Sequence, residues 1–329
     1  MRRWGAAAAL LAAVAASVLL AVRFGSVELG TGEAVRALLG RGTEDHRLIV
    51  LGLRLPRAIL GLLVGGGLAL AGATFQALLR NPLAEPYILG ISGGSAAGAV
   101  AVLALGLGAG ATWALPVASF AGALVAIALV FRVAAAADAR LDVRVLLLAG
   151  IVVGAFFTAA VAFILSVSEA AAVRSTVLWM MGSLAGADWR SVAVVAVYTL
   201  PAAVALLGLS RALNVISIGE ETASYLGTDV ERVKRAGFAV ASLITAAGVA
   251  MAGVVGFVGL IVPHAVRLVV GSDHKVLLPL SFLAGAAFLT LADLVARVAL
   301  APAEVPIGVI TAFVGVPLFL VLLRRSLGR

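Results

Sequence analysis

The chain is 329 residues long, 63% hydrophobic and only 12% charged, with a mean hydropathy of +1.17; soluble domains keep roughly a quarter of their residues charged, so an ordinary water-soluble globule is excluded and lipid fits the surface. There is no cysteine, which excludes disulfides, thiolate metal sites and cysteine nucleophiles. The net charge of +8 comes from basic residues dispersed between apolar runs, a pattern of membrane orientation rather than of a phosphate-tracking stripe, so no nucleic-acid partner is expected.

A bilayer core takes about 20 apolar residues per helix. Charge-free stretches of that size run over 5–22, 58–79, 145–168, 191–210 and 305–323. The 46 uncharged residues 86–131 make two spans, with Trp113-Ala-Leu-Pro116 as the expected break, because proline ends helices and tryptophan favours the interface. The piece 175–187 is uncharged but too short to cross; a short periplasmic or re-entrant helix is expected within 169–190. Residues 236–272 carry only His264 and Arg267, and Gly253, Gly256, Gly259 and Pro263 divide them into two helices, the second short. Residues 276–300 form a further span, interrupted by Asp293 and Arg297. The expectation is an all-α polytopic membrane protein, one transmembrane domain over 1–329 with about ten helices. Both ends are basic, with Arg2 and Arg3 at the start and Arg324, Arg325 and Arg329 at the finish. The positive-inside rule then puts both termini in the cytoplasm, which agrees with an even number of spans. The first apolar run exceeds the about 7–15 residues of a signal peptide, so a retained first helix is expected.

No G-x-x-x-x-G-K-[ST] loop, H-E-x-x-H pair or serine elbow occurs, so the chain is not expected to bind ATP by that motif or to catalyse a reaction alone. Its most informative polar stretch is 211–235. Ser217-Ile-Gly-Glu220 and Thr228-Asp-Val-Glu231 each read as a capping box, and Gly227 stops the helix between them. Two short helices joined at a glycine make a rigid knob. As an arbitrary loop it would be a mere connector, but exposed Tyr225 and Leu226 turn it towards docking another protein. Gly61-xxx-Gly65, Gly90-xxx-Gly94-xxx-Gly98 and Gly182-xxx-Gly186 are small-residue ladders whose ordinary use is close helix packing. Asp293 and Arg297 are spaced to pair across one helical turn. A single such acid makes a weak proton relay, and a lone His264 is more often packed than ligating.

Seven blocks in order then resemble one family. They are Arg54-Leu-Pro-Arg57; Gln76-Ala-Leu-Leu-Arg-Asn-Pro-Leu-Ala-Glu-Pro86 with Leu89-Gly90; Trp179-Met-Met-Gly182; Gly256-Phe-Val-Gly-Leu-Ile-Val-Pro-His264; Asp273-His-Lys-Val-Leu-Leu-Pro279; Ala292-Asp-Leu-Val-Ala-Arg297; and Pro306-Ile-Gly-Val-Ile-Thr-Ala312. Together they resemble the FecCD/BtuC-type permeases of iron-siderophore, haem and cobalamin ABC importers, from about residue 50 to 320. The resemblance implies a homodimer of ten-helix subunits in the bacterial inner membrane. It also implies two cytoplasmic ATPase subunits, which use ATP and Mg while this chain binds no cofactor, and a substrate-binding protein outside. It makes Arg54, Arg57 and Arg297 the docking residues for that binding protein. It makes the knob a coupling element, with Ser217, Glu220, Ala223, Leu226, Gly227 and Glu231 at the ATPase. Asn81 and Leu83, then Val143 and Arg144, fall where the path narrows. Cobalamin permeases carry small hydroxyl residues at the second constriction, from which Asp142-Val143-Arg144 departs, whereas Trp179-Met-Met-Gly182 and Asp188-Trp189 look cobalamin-like.

The function expected is therefore translocation of an iron(III) chelate, siderophore or haem, by alternating access driven by the partner ATPase, with cobalamin as the alternative substrate. An ion-driven secondary transporter would need paired intramembrane acids or inverted halves, and neither is visible. A purely structural membrane protein would leave the knob and the arginines without a purpose.

Overall fold

In lipid every backbone N–H and C=O has to be satisfied within the segment, so long apolar runs become helices. The computed structural model describes residues 2–25, 27–106, 113–137 and 142–327, and its regular elements are helical apart from one isolated bridge between Leu300 and Ala303. The N-terminal part comprises α1 (Arg2–Arg23), α2 (Thr31–Leu38), α3 (Glu44–Arg47), a π-helical turn (Leu48–Arg54) and α4 (Leu55–Leu78). A 3-10 turn (Pro86–Leu89) leads into α5 (Ile91–Leu103), followed by α6 (Ala114–Ala137), α7 (Val143–Ser166), α8 (Ala170–Met180) and α9 (Trp189–Gly208). The knob holds α10 (Ser210–Ile216) and α11 (Glu220–Tyr225); the second short helix expected after Gly227 is instead the first turn of the long α12 (Val230–Ala252), and α13 (Val258–Val270), α14 (His274–Val298) and α15 (Ile307–Leu327) complete the chain. Among the described residues seven helices are long and apolar enough to cross a membrane, and Ile91–Leu103, Val258–Val270 and Ile307–Val321 are shorter apolar helices.

Helix α4 is the axis of the bundle. The apolar window of Glu44–Leu78 is 89% buried within the chain, against 17% for α1, and α4 packs on α1, α9, α12, α13 and α14. Its glycines permit this. A Cβ on Gly72 would lie 1.9 Å from the Gly259 carbonyl oxygen of α13, and one on Gly65 would lie 2.3 Å from that of Gly285 in α14. The α5 ladder works the same way against α6, where a Cβ on Gly94 or Gly98 would fall 2.4 or 2.0 Å from a carbonyl oxygen. The small residues are thus packing surfaces, as small-residue ladders in membranes usually are. Polar starts punctuate the helices: Asp142, Asp188, Asp229 and Asp273 each accept a backbone N–H at the N-terminus of α7, α9, α12 and α14.

Several expected boundaries move. Pro116 sits in the first turn of α6, where its missing N–H is harmless, so the expected break at Trp113–Pro116 is the start of a helix; residues 107–112 just before it lie outside the described residues, as do 138–141 and Arg329. The short helix begins at Ala170 and ends at Met180, with Arg174 inside it, and 181–188 is irregular. The α12–α13 break occupies Gly253–Phe257, while Gly259 and Pro263 are helical. Neither capping box forms. Ser217 ends α10 and its hydroxyl donates to the Asn214 carbonyl, so Gly219, with no side chain, starts α11. Asp229 rather than Thr228 caps α12, because its carboxylate reaches the Arg232 N–H at 3.0 Å.

Gly72→Ala is expected to destabilise the purified protein in detergent by about 1–3 kcal/mol, the usual cost of overpacking. Gly5→Ala in α1, with nothing within 4 Å, is expected to be neutral or slightly stabilising. Equal thermal midpoints for the two variants would show that α4 is not seated by backbone contact.

Candidate functional site

Three regions along the bundle carry chemistry. The first lies at the N-terminal end of α4. The π-helical turn aims Arg54 back at α1, where its guanidinium donates to the carbonyls of Val22 (2.8 Å), Arg23 (2.7 Å) and Val27. Arg54 is therefore buried, and it caps the otherwise open C-terminus of α1. Arg297 is buried too, donating to the Ala21 carbonyl at 3.1 Å and lying 3.3 Å from Asp293, so the spacing-predicted pair forms. Arg57 joins them. Its Nε and Nη2 grip Asp293 at 2.8 to 3.1 Å, and its Nη1 and Nη2 reach both carboxylate oxygens of Glu304 at 2.9 Å. Both contacts have the two-pronged geometry that makes guanidinium–carboxylate pairs strong. All three arginines and Glu304 line one pocket of about 230 Å³. Three cations against two carboxylates leave one positive charge in excess. Glu304, in the α14–α15 loop, has its carboxyl held below the usual range by the Arg57 hydrogen bonds, with burial acting the other way.

The second region is apolar. A cavity of about 650 Å³ lies between the α8 end, the α12–α13 break and α15, lined among others by Met180, Met181, Phe257, Ala312 and Phe313. A neighbouring one of about 410 Å³ adds Tyr87 from the 3-10 turn, Ser92 from α5, and Gly150 and Thr158 from α7. No charged side chain lines either. The break beside them is stapled to the loop after α4. Glu85 accepts the Phe257 N–H at 2.9 Å, and the Tyr87 hydroxyl serves both the Val255 carbonyl (3.0 Å) and its N–H (3.2 Å). Phe257 needs such support, since its φ of 68° is left-handed and unfavourable for a bulky residue. Burial pushes the Glu85 carboxyl up, and the Phe257 N–H partly offsets this. Gln76 completes the staple by donating to the Leu260 carbonyl (3.1 Å) and accepting from Arg267 (3.0 Å).

The third region lies past the C-terminus of α4, at the opposite end of a 24-residue helix about 36 Å long. Asn81 turns the chain by accepting the Leu83 N–H at 2.9 Å, and Leu83 is exposed. A polar cavity of about 1000 Å³ brings Arg80, Asp142, Val143 and Arg144 together with Gly219, Glu220, Glu221 and Thr222 of the knob, and with Lys234. The knob's outer face presents Ile218, Tyr225 and Leu226, with Tyr225 90% exposed. Ala223 is fully buried beneath it, so it supports the knob instead of contacting a partner. Glu220 and Glu231, expected to close capping boxes, both bind the Lys234 ammonium, at 3.1 and 3.2 Å. Gly227 ends α11 with φ of 79°. Nearby, Asn214 donates to Asp273 (2.9 Å) and accepts the His274 N–H (2.8 Å), tying α10 to α14.

Thus the sequence-derived arginines gather at one end, and Asn81, Leu83, Val143, Arg144 and the knob residues gather at the other. The motifs do not mark Glu304, Lys234, Gln76 or Tyr87 individually: Gln76 opens a family block and Lys234 lies in the 211–235 stretch, whereas Glu304 and Tyr87 fall between blocks.

A helical bundle with charged clusters at its two ends and an uncharged cavity between them is the architecture of a multi-pass membrane transporter. The profile of the FecCD transport family matches residues 12–325, and the chain belongs to that family of ABC importer permeases. It is similar to a cobalamin import system permease of Halobacterium salinarum, with 46% identity over 85% of this chain and 74% of the relative. It is also similar to a vitamin B12 import system permease of Escherichia coli, with 41% identity over 86% of each chain, and to an ABC transporter permease of Bacillus subtilis, with 38% identity over 96% of this chain and 92% of that one. Among solved structures, a metal-chelate type ABC transporter in an inward-facing conformation superposes with a TM-score of 0.86 at 31% identity, covering 96% of this chain and 98% of the other.

Asp293→Asn removes the buried partner of two arginines and is expected to cost about 3 kcal/mol or more. Glu304→Gln, at a carboxylate 35% exposed, should cost less than about 1 kcal/mol. Because the Glu304 carboxyl is lowered in the folded chain, its contribution is present above the ordinary carboxylate range and fades as pH falls through the lowered value. Denaturation of both variants across pH checks this: a Glu304→Gln cost that persisted undiminished in acid would contradict the pairing.

Proposed function

We propose that the chain is the membrane-spanning half-site of a binding-protein-dependent importer in the bacterial inner membrane. All ten apolar helices cross the bilayer and both termini are cytoplasmic. Two copies enclose the path, two ATPase subunits dock on the knobs, and a substrate-binding protein delivers cargo to the outer end. The substrate is a bulky metal chelate of the corrinoid class. The observation that carries this is the uncharged cavity beside Met180 and Phe257: a chelate whose metal is already saturated needs no ligands from the wall, and an apolar wall holds it weakly enough to release it. Relatives named as cobalamin and vitamin B12 permeases at 46% and 41% identity support the corrinoid over an iron chelate. A ferric siderophore or haem is the second reading, favoured by Asp142-Val143-Arg144 at the inner narrowing.

In proteoliposomes with its ATPase and binding-protein partners, the chain should import radiolabelled cyanocobalamin only when ATP is supplied, and excess ferric siderophore should not compete. Uptake of the iron chelate instead would transfer the assignment to the second reading, and ATP hydrolysis by the purified chain alone would overturn both. Leu226→Glu on the exposed knob face should separate hydrolysis from uptake without unfolding the chain. Ala223 is unsuitable for this test, since a charge there would disrupt the buried side of the knob.

The excess positive charge around Arg54, Arg57 and Arg297 is the feature proposed to receive acidic residues of the binding protein. Arg57 is the natural probe, because it is the arginine joined to the partly exposed Glu304. Arg57→Glu should weaken docking, more so at low salt, where exposed charges are least screened. Affinity unchanged across salt would confine the arginines to a structural role.

A further inference from the structure

The knob meets the rest of the bundle in an unusual way. Helix α11 has six residues, begins at a glycine and has no side-chain cap. On its own such a helix is too short to hold its shape. Two things seat it: Ala223, fully buried beneath it, and Glu220, its first residue, whose carboxylate accepts from the Lys234 ammonium at 3.1 Å. Lys234 belongs to α12 and is 1% exposed, and it also binds Glu231 one turn earlier on its own helix at 3.2 Å. A lysine is almost never fully buried unless paired, and removing a partner from such a charge is costly. The same side chain lines the 1000 Å³ cavity whose far wall is Leu79, Arg80, Val143 and Arg144. One buried cation therefore touches the docking knob, a membrane-crossing helix and the space between knob and narrowing.

We propose that Lys234 is a positioning residue: it pins the knob to α12, so that a push on the outer face of α11 moves α12 and the wall of the inner cavity as one body. The two carboxylates differ in role. Glu220 makes the tie between elements, whereas Glu231 pairs with the lysine within α12 and stays beside it when the knob shifts. This rests on the reading of the knob as the place where the ATPase acts, but the tie itself exists with or without a partner.

Two arms of one experiment separate the tie from the reading. In the first, hydrogen exchange is measured on the full chain in lipid nanodiscs without any partner. Glu220→Gln and Lys234→Met should speed exchange of the backbone amides of 221–228 by about tenfold or more, as local opening does. Lys234→Arg should restore protection and Glu231→Gln should have the smaller effect. In the second, the chain is reconstituted with its ATPase and binding-protein partners, and substrate transported per ATP hydrolysed is compared. That ratio should fall in Glu220→Gln and in Lys234→Met and stay near that of the unsubstituted chain in Lys234→Arg, with the ATPase still bound. Glu220→Gln keeps the Lys234–Glu231 pair, so it remains informative if Lys234→Met fails to fold. Unchanged exchange in Glu220→Gln, or equal effects from Glu220→Gln and Glu231→Gln, overturns the pin. Faster exchange with an unchanged transport ratio also overturns the proposed transmission while leaving the importer assignment standing. Absence of ATP-driven uptake in the unsubstituted chain overturns the importer reading alone, since the first arm still reports on the tie.

Discussion

The close approach of α4 to α13 and α14 is the constraint on which the remaining structure depends. Between helices in lipid there is little hydrophobic gain, because the solvent is as apolar as the side chains, so contact has to come from backbone fitting against backbone. Gly65 and Gly72 allow it, and α4 is thereby shut away from lipid and held among α1, α9, α10, α12, α13 and α14. Once α4 is fixed, its two ends become the fixed points for the chemistry. Arg57 projects at one end, and the Asn81 turn leaves from the other.

The polar groups obey the same economy. The cations of the two charged clusters have found either a carboxylate or backbone carbonyls left open at the end of α1. Arg54 takes the open end of α1, Arg57 and Arg297 share Asp293, and Lys234 shares two glutamates. The uncharged cavity between these clusters is lined by methionine, phenylalanine, alanine and glycine. Glu85 and Gln76 staple the wall from outside the cavities and Tyr87 from the rim of the second one, so that the larger cavity keeps an apolar surface.

Much of this was legible in the residues. Charge-free runs located the long helices, the spacing of Asp293 and Arg297 announced a pair, and the glycine ladders of α4 and α5 marked close contacts, whereas Gly182-xxx-Gly186 falls in irregular chain and a Cβ on Gly186 would meet nothing within 4 Å. What failed was local grammar near the knob. Ser217 and Thr228 carry the right letters for capping, but Asn214 draws one hydroxyl back into α10, and Asp229 competes successfully with the other. Glu220 and Glu231 were read as caps because nothing in a linear sequence reveals that Lys234 is buried between them. Glu304 was invisible for a related reason. It lies 247 positions from Arg57 and is joined to it only through the antiparallel packing of α4 and α14. The side of Ala223 that faces inward was likewise a matter of tertiary packing, not of composition.

The capping of α1 by Arg54 and Arg297 has a consequence for biogenesis. A nascent chain emerges from its N-terminus, so α1 enters the membrane long before Arg297 and Glu304 have been made. During that interval the last carbonyls of α1 lack one of their donors, and Arg57 has neither of its carboxylates. The charged cluster at this end can close only after α14 and the loop beyond it have been delivered. Its closure is therefore a late event in assembly: until that loop follows, Asp293 alone faces the three arginines, and the excess of positive charge at this end is two instead of one.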